Sequence, residues 1–236
     1  MTTQLKKTGY DREKLTAGIL HIGVGNFHRA HEEYYTDLLI GKDISQGCWG
    51  IAGAMIMPQD ETLYQALKSQ KGMYTLTICG RDGHNEATEI GSLIELVRPT
   101  SDRGALSRRI ADPSIKIISM TITEGGYNIL RETGEFNLEE ENVAHDLNNI
   151  HDPSTVFGHV AEGLRLRRDN NAGPVTILTC DNLQHNGDTA RKAFMTFFRA
   201  QDPRLADWVE KNVTFPNSMV DLSLIHISEP TRHSLI

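Results

Sequence analysis

The sequence predicts an open α/β fold, a doubly wound and mostly parallel sheet with an antiparallel hairpin insertion. Three stretches carry that expectation. Residues 19–24 form an apolar β-type run that passes without a break into closely spaced glycines and a helix-compatible segment. Residues 115–123 and 175–180 are near-continuous apolar runs, the pattern of strands buried on both faces. Helical patterns alternate with these strands, as the crossovers of a parallel sheet require.

Residues 1–14 are polar, with Lys6, Lys7, Asp11, Arg12, Glu13 and Lys14, and read as a solvated lead-in. The first strand, 19–24, feeds a helix over 27–40, on which Tyr34, Tyr35, Leu38 and Leu39 form a stripe at helical spacing expected to be core. A loop over 41–47 leads to a strand at 49–57, whose small residues Gly50, Ala52, Gly53 and Ala54 suggest close approach of another backbone. Pro58 and the acids Asp60 and Glu61 then open a helix through about Lys68. Residues 73–79 alternate as a strand and turn at 81–85 into a partner strand over 87–95.

A short helix at 106–111 ends at Asp112-Pro113. The polar segment 136–150, with three consecutive glutamates, reads as a surface excursion. Residues 154–170 read as an amphipathic helix with Val156, Val160, Leu164 and Leu166 on one side. Its basic run, Arg165 to Arg168, reads as a solvated end favoured by the helix dipole. A last helix is expected over 188–200.

Composition narrows the function. The chain has 236 residues, 39% hydrophobic, with 24 Lys plus Arg against 31 Asp plus Glu and a net charge of −7. That balance argues against a nucleic-acid partner, which needs a basic face. No run reaches the ~18 apolar residues of a membrane span and the N-terminus has no signal-peptide core, so a cytoplasmic location is expected, with no membrane partner. Cys48, Cys79 and Cys180 form neither a disulfide framework nor a zinc motif and read as buried thiols. His28 and His31 are the one histidine pair near helical spacing before the tail, and the expectation is a metal-free protein.

The turn after the first strand has two readings. Gly23 can make a tight turn and Gly25 can let backbone approach a pyrophosphate, as in a dinucleotide site, but position 28 is His where G-x-G-x-x-G has its third glycine. Read from these residues alone, it is a tight βα turn that binds a dinucleotide or binds nothing. Asp60, beyond the second strand, suits either an acid that bonds the adenosine ribose hydroxyls or an ordinary first-turn helix acid. Glu124 is either a cofactor-adjacent carboxylate or a loop acid. Asn182 could donate to an oxygen becoming alkoxide, or cap an Asx turn. For His28 the alternatives are capping and packing.

Four blocks in order carry a family resemblance. They are Gly-Val-Gly-Asn-Phe-His-Arg-Ala-His from Gly23, Ser-Met-Thr-Ile-Thr-Glu-Gly-Gly-Tyr from Ser119, Thr-Cys-Asp-Asn-Leu-Gln-His-Asn-Gly from Thr179, and Phe-Pro-Asn-Ser-Met-Val-Asp from Phe215. Together they resemble the mannitol dehydrogenase family of polyol-specific long-chain dehydrogenases. The resemblance implies a Rossmann-type domain over 15–221 that binds NAD through Gly23, Gly25, Asn26, Phe27, His28, Arg29, Asp60, Thr123 and Glu124. It implies substrate contacts from Asn182, also the catalytic oxyanion donor, and from Asp221.

The implied activity is metal-free hydride transfer between a sugar alcohol, best D-mannitol, and its ketose, D-fructose. A uronate reductase acting on fructuronate or tagaturonate, an arabinitol dehydrogenase, or a non-catalytic nucleotide-binding module are the alternatives. The family's general base, a lysine in K-x-x-x-x-N-x-x-H, has no match in this sequence. The resemblance also stops in mid-signature after Asp221, where Leu222-Ser223-Leu224 replaces the expected continuation. Residues 222–236 are therefore expected to be non-native read-through of a sequencing adapter, and a helical substrate domain of the same polypeptide to be missing. The fragment is expected to be inactive by itself.

Overall fold

The computed structural model describes residues 5–80 and 82–220. Asp221, expected to contact substrate, and residues 222–236, expected to be read-through, lie outside them. The main sheet has six strands, all parallel: β2 (Ala17–Ile22), β3 (Gly50–Ala54), β6 (Leu93–Val97), β7 (Ile117–Met120), β8 (Val175–Thr179) and β9 (Val213–Thr214). Their spatial order is β6-β3-β2-β7-β8-β9. The strand order reverses direction between β2 and β7, the switch point at which open α/β sheets form their crevice.

A second sheet holds β1 (Leu5–Lys6), β4 (Tyr74–Cys79) and β5 (Asn85–Ile90), with β4 and β5 antiparallel and β1 parallel to β5. This is the expected insertion with one correction. The partner strand stops at Ile90, and after Gly91-Ser92 the chain enters the main sheet as β6 instead of continuing through Glu95. The described part of the lead-in, residues 5–14, is exposed or half-buried, and it is tied to the hairpin by the pairing of β1 with β5 and to the segment after it by Arg12. The Arg12 guanidinium donates to the carbonyls of Gly91 at 2.8 Å and Leu93 at 2.6 Å.

Strand alternation splits the core in two. Leu20, Ile22, Ala52, Ala54, Ile118 and Met120 face a large cluster completed by α4 (Ala105–Ile110), α6 (Val156–Asp169), α7 (Asn186–Gln201) and α8 (Pro203–Asn212). Phe136, Phe157, Phe194, Phe197 and Phe198 form its aromatic centre. Ile19, Ile51 and Met55 face the other way, against Tyr64 and Leu67 of α3 (Glu61–Ser69). Gly163 lets α6 approach α4 closely, since a Cβ there would overlap Ile110.

Several expectations need correction. The helix expected over 27–40 is two, α1 (Asn26–Ala30) and α2 (Glu32–Lys42), broken at His31. On α2 the buried positions are Glu33, Thr36, Asp37 and Ile40, while Tyr35 and Leu39 of the supposed core stripe are 64% and 43% exposed. The buried face is polar because its neighbours are polar. Asp37 accepts from the Tyr10 hydroxyl at 2.6 Å and the Gly91 amide at 2.8 Å.

Segment 136–150 is not merely a surface excursion. Phe136 is buried edge-on against Phe157, and α5 (Glu141–Asn148) buries Val143 and Asp146. The Asp146 carboxylate accepts from the backbone amides of Ser154 and Thr155 at 2.9 and 2.8 Å at the start of α6. Burial works against its charge, but the donors from Thr155, His145 and Ser154 hold its carboxyl below the usual range. Arg167 is the clearest reversal. It is fully buried and donates to six carbonyls, those of Ile110, Asp112, Ile115, Ala172, Gly173 and Pro174. Cys48 and Cys79 are exposed, not buried. Cys180 is half-buried, and burial, with Glu32 and Asp181 nearby, pushes its thiol up to about 12.

Candidate functional site

A cleft of about 1540 Å³ opens where the carboxyl ends of β2, β3, β7 and β8 meet. It is lined by Gly23, Val24, Gly25, Asn26 and Phe27 from the first turn, by 56–60 from the second, by 121–126 from the third, and by Cys180, Asp181 and Asn182 from the fourth. Among the described residues no helix is long and apolar enough to cross a membrane.

The first turn is shaped by glycine. Gly23 has φ +101°, and a Cβ there would run into the Thr121 carbonyl of β7's exit turn. Gly25 has nothing nearer than the Gly23 oxygen at 3.9 Å, which leaves the side facing the cleft open to a ligand's close approach. The turn is fixed to the sheet by the Gly23 amide donating to the Ala54 carbonyl at 2.9 Å. Asn26 and Phe27 are exposed at the start of α1.

Helical geometry turns the next residue inward. His28 is 1% exposed, and neither it nor Arg29 is among the residues that line the cleft, so the expected cofactor loop reaches the cleft through Gly23, Gly25, Asn26 and Phe27. Arg29 instead donates to the Asn26 side chain and receives the Tyr74 hydroxyl on its carbonyl at 2.6 Å. His31, which the sequence suggested only as half of a histidine pair, lines the cleft and stacks on Phe27 with ring centroids 4.2 Å apart.

Behind the turn lies a polar cluster that sequence reasoning missed. His21 from β2 and His28 from α1 stack with ring centroids 3.4 Å apart and planes 7° from parallel. His21 Nδ1 and His28 Nε2 lie 2.8 and 3.1 Å from one oxygen of Glu32, and His28 Nδ1 lies 2.8 Å from Glu33. Burial alone would lower the His28 pKa, but the two carboxylates outweigh it and raise it. Burial and the neighbouring His28 lower that of His21. Burial disfavours the Glu32 charge, yet the histidines hold its carboxyl far below the usual range.

Donor atoms of His21, His28 and Glu32 fall within 4.8 Å of one another, a spacing that invites comparison with a metal centre. Stacked imidazoles do not suit one. A cation lying in the plane of one ring at ~2.0–2.1 Å from nitrogen would sit well out of the plane of the other. The i, i+4 relation of His28 and Glu32 was a readable signal for the pair, whereas His21 reaches them only through the fold.

Asp60 closes the second turn. One carboxylate oxygen accepts the Met57 amide at 3.0 Å, and the residue, half-buried, lines the cleft. Arg98 supports this turn from below by donating to the Met55 and Met57 carbonyls at 3.1 and 3.3 Å. At the third turn, Thr123 and Glu124 are exposed to the cleft. Thr123 is held at φ +65°, a sparsely populated conformation for a non-glycine residue. Buried Asp181 holds it there, accepting the amides of Ile122 at 3.0 Å and Thr123 at 2.9 Å and the Tyr127 hydroxyl at 2.7 Å.

Asn182 follows Asp181 directly. It is exposed in the cleft, and its amide has no hydrogen-bonding partner among the described residues. The neighbouring Asn186 is the structural one, buried and donating to Ser218 and to the Asp181 carbonyl. The arrangement brings together Gly23, Gly25, Asn26, Phe27, Asp60, Thr123, Glu124 and Asn182 on one cleft.

Comparison with known proteins agrees with the geometry. The family model described as "Mannitol dehydrogenase Rossmann domain" matches residues 17–225. A protein named polyol:NADP oxidoreductase from Gluconobacter oxydans is 44% identical over 90% of this chain and 44% of its own length. A mannitol 2-dehydrogenase from Cereibacter sphaeroides is 39% identical over 94% of this chain and 46% of its own. The solved Pseudomonas fluorescens mannitol 2-dehydrogenase, in ternary complex with NAD and D-mannitol, superposes with a TM-score of 0.89 at 38% identity. It covers 92% of this chain and 44% of that one. The chain thus spans just under half the length of the relatives it matches.

Proposed function

The chain belongs to the mannitol dehydrogenase family, and from that premise we propose that it is the dinucleotide-binding part of an oxidoreductase that transfers hydride between NAD and a polyol. The cleft at the switch point is the observation that carries this reading, with the Gly23–Phe27 turn at one wall and Asn182 at the other. The residues fit a dinucleotide: a Cβ at Gly23 would collide with Thr121, and Gly25 leaves open space where a pyrophosphate would pass. In this reading residues 15–221 form the nucleotide-binding unit, and Gly23, Gly25, Asn26 and Phe27 hold the pyrophosphate.

The nicotinamide ring supplies the hydride acceptor when bound. Asp181 fixes the Thr123–Glu124 turn against which that ring would rest, and keeps its own carboxylate engaged with backbone amides. Asn182, uncommitted among the described residues, would donate to the substrate oxygen as negative charge gathers there, without itself giving up a proton. Asp221 would add a substrate contact by resemblance. The alcohol proton needs an acceptor, and the family's lysine motif is absent from this sequence.

Asp60 bears on the cofactor. One relative's name includes NADP, whereas the carboxylate of Asp60 would repel a 2′-phosphate and bond the free ribose hydroxyls, which favours NAD. D-Mannitol is the preferred substrate, since mannitol dehydrogenases recur among the relatives. The test is titration of the 236-residue chain with NAD⁺ alongside an assay of NADH formation from D-mannitol. Saturable binding without turnover is expected. Turnover by this chain alone would refute the missing-base account, and absence of binding would refute the dinucleotide site.

A further inference from the structure

We propose that His28 is a positioning residue for the dinucleotide: held between Glu32 and Glu33 beneath the Gly23–Gly25 turn, it must carry its proton for the anionic ligand to bind tightly. The inference rests on the dinucleotide reading of the cleft and deepens it. Its basis is a charge count in a closed space. His21, His28 and Glu33 are buried to within 1% exposure, and Glu32 is largely buried. The close approaches of His28 to both glutamates lie at ion-pair distance but lack the alignment of directed hydrogen bonds. Charge attraction therefore contributes to holding His28 between the glutamates, while directed hydrogen bonds through Ser119 tie His21 and Glu32 together.

The other groups facing the cluster are neutral, apart from Asp37 and Arg29, whose hydrogen-bonding partners lie outside it. Ser119 of β7 donates its hydroxyl to Glu32 at 2.9 Å. The Cys180 thiol is pushed up and stays protonated. On β4 the Tyr74 hydroxyl, raised by burial and then by Glu33, donates to the Arg29 carbonyl. Asp37, one turn along α2, is taken by Tyr10 and Gly91. Arg29, the remaining cation of α1, turns to Asn26. His21 cannot supply a second charge, since it lies stacked at 3.4 Å on His28 and is wholly buried. Within the cluster, His28 is therefore the group whose protonation changes the charge beneath the turn: protonated, it balances one of the two carboxylates; neutral, it leaves both uncompensated by the histidines.

The cluster also touches the turn directly. His21 Nε2 lies 3.2 Å from the Gly23 carbonyl and 3.1 Å from the Thr121 hydroxyl, which itself donates to that carbonyl at 2.7 Å. By linkage, ligand that binds the protonated form draws a proton from solution once the pH exceeds the pKa of free His28.

The experiment is calorimetric titration of the 236-residue chain with NAD⁺ between pH 6 and 9, in buffers of different ionisation enthalpy. It is repeated with His28→Gln and Glu33→Gln, whose folding is checked by circular dichroism. Affinity is expected to fall with rising pH by up to about tenfold per unit, the limit for one linked proton, with proton uptake on binding. His28→Gln should bind weakly and without pH dependence, and Glu33→Gln should flatten the profile. If His28→Gln does not fold, proton uptake by the unaltered chain decides. Tight binding that is flat in pH, with no proton uptake, overturns the inference and leaves the cleft's reading intact. Absence of NAD⁺ binding at every pH overturns both.

Discussion

The carboxylate of Asp181 accepts the backbone amide of Thr123 at 2.9 Å and so holds that residue at φ +65° on the wall of the cleft. One buried side chain at the end of β8 thereby sets the exit turn of β7, and places the exposed Asn182 beside it. Asp181→Ala would strand the amides of Ile122 and Thr123 and the Tyr127 hydroxyl. A loss of about 3 kcal/mol in urea unfolding is expected, because each orphaned buried donor costs roughly 1–3 kcal/mol. Tyr127→Phe, which keeps the amide contacts, should cost about 1 kcal/mol. Equal effects would mean that the carboxylate does not hold the turn.

Arg167 is the second stability test. Its six carbonyl partners join the ends of α4 and α6 to the loops before β7 and β8. Arg167→Leu should destabilise by about 4 kcal/mol, since several carbonyls lose a charged donor together. Arg168→Ala, whose partners Asp169 and Asp202 lie at the surface, should stay within about 1 kcal/mol. Denaturant midpoints for the pair would show whether the basic run is a solvated end or, at one position, a structural keystone.

These two residues mark what the sequence could and could not tell. Parallel strands, the switch-point cleft and the hairpin were legible, because apolar runs, turn residues and strand–helix alternation are local signals. Arg167 was not, since the carbonyls that draw it inward come from residues 110–115 and 172–174. Tyr35 and Leu39 misled for a related reason. Periodicity identifies a stripe but not which face the fold covers, and here a polar face with Glu33 and Asp37 is the buried one. His28 sat inside a readable motif, yet its inward direction depends on the break at His31 and on the partners α2 supplies.

Asp60 should be tested by charge rather than by truncation. Asp60→Asn keeps an oxygen for the Met57 amide and removes the negative charge, so the helix start survives while repulsion of a 2′-phosphate is lost. The preference for NAD⁺ over NADP⁺ in paired titrations should shrink by roughly tenfold, about 1.4 kcal/mol. Melting temperature should change little. An unchanged preference would leave Asp60 a helix-start residue only.

Stability should depend on pH through His28 and Asp146 in opposite senses. The folded-state pKa of His28 is raised, so its contribution is complete below the unfolded value of ~6.5 and is lost as pH rises through the folded value. Asp146 has a lowered folded pKa, so its contribution is present above ~3.9 and is lost as pH falls through the folded value. Thermal melts from pH 3 to 9 should decline at both ends, with His28→Gln removing part of the alkaline decline and Asp146→Asn part of the acid one. Variant profiles parallel to the parent would contradict the assignment.

A crystal structure of the chain soaked with NAD⁺ would show whether this cleft receives a dinucleotide. The account predicts the adenosine beside Asp60, the pyrophosphate against residues 23–27, and the nicotinamide between Thr123 and Asn182. Dinucleotide density at any other place, or an empty cleft at saturating NAD⁺, would contradict it.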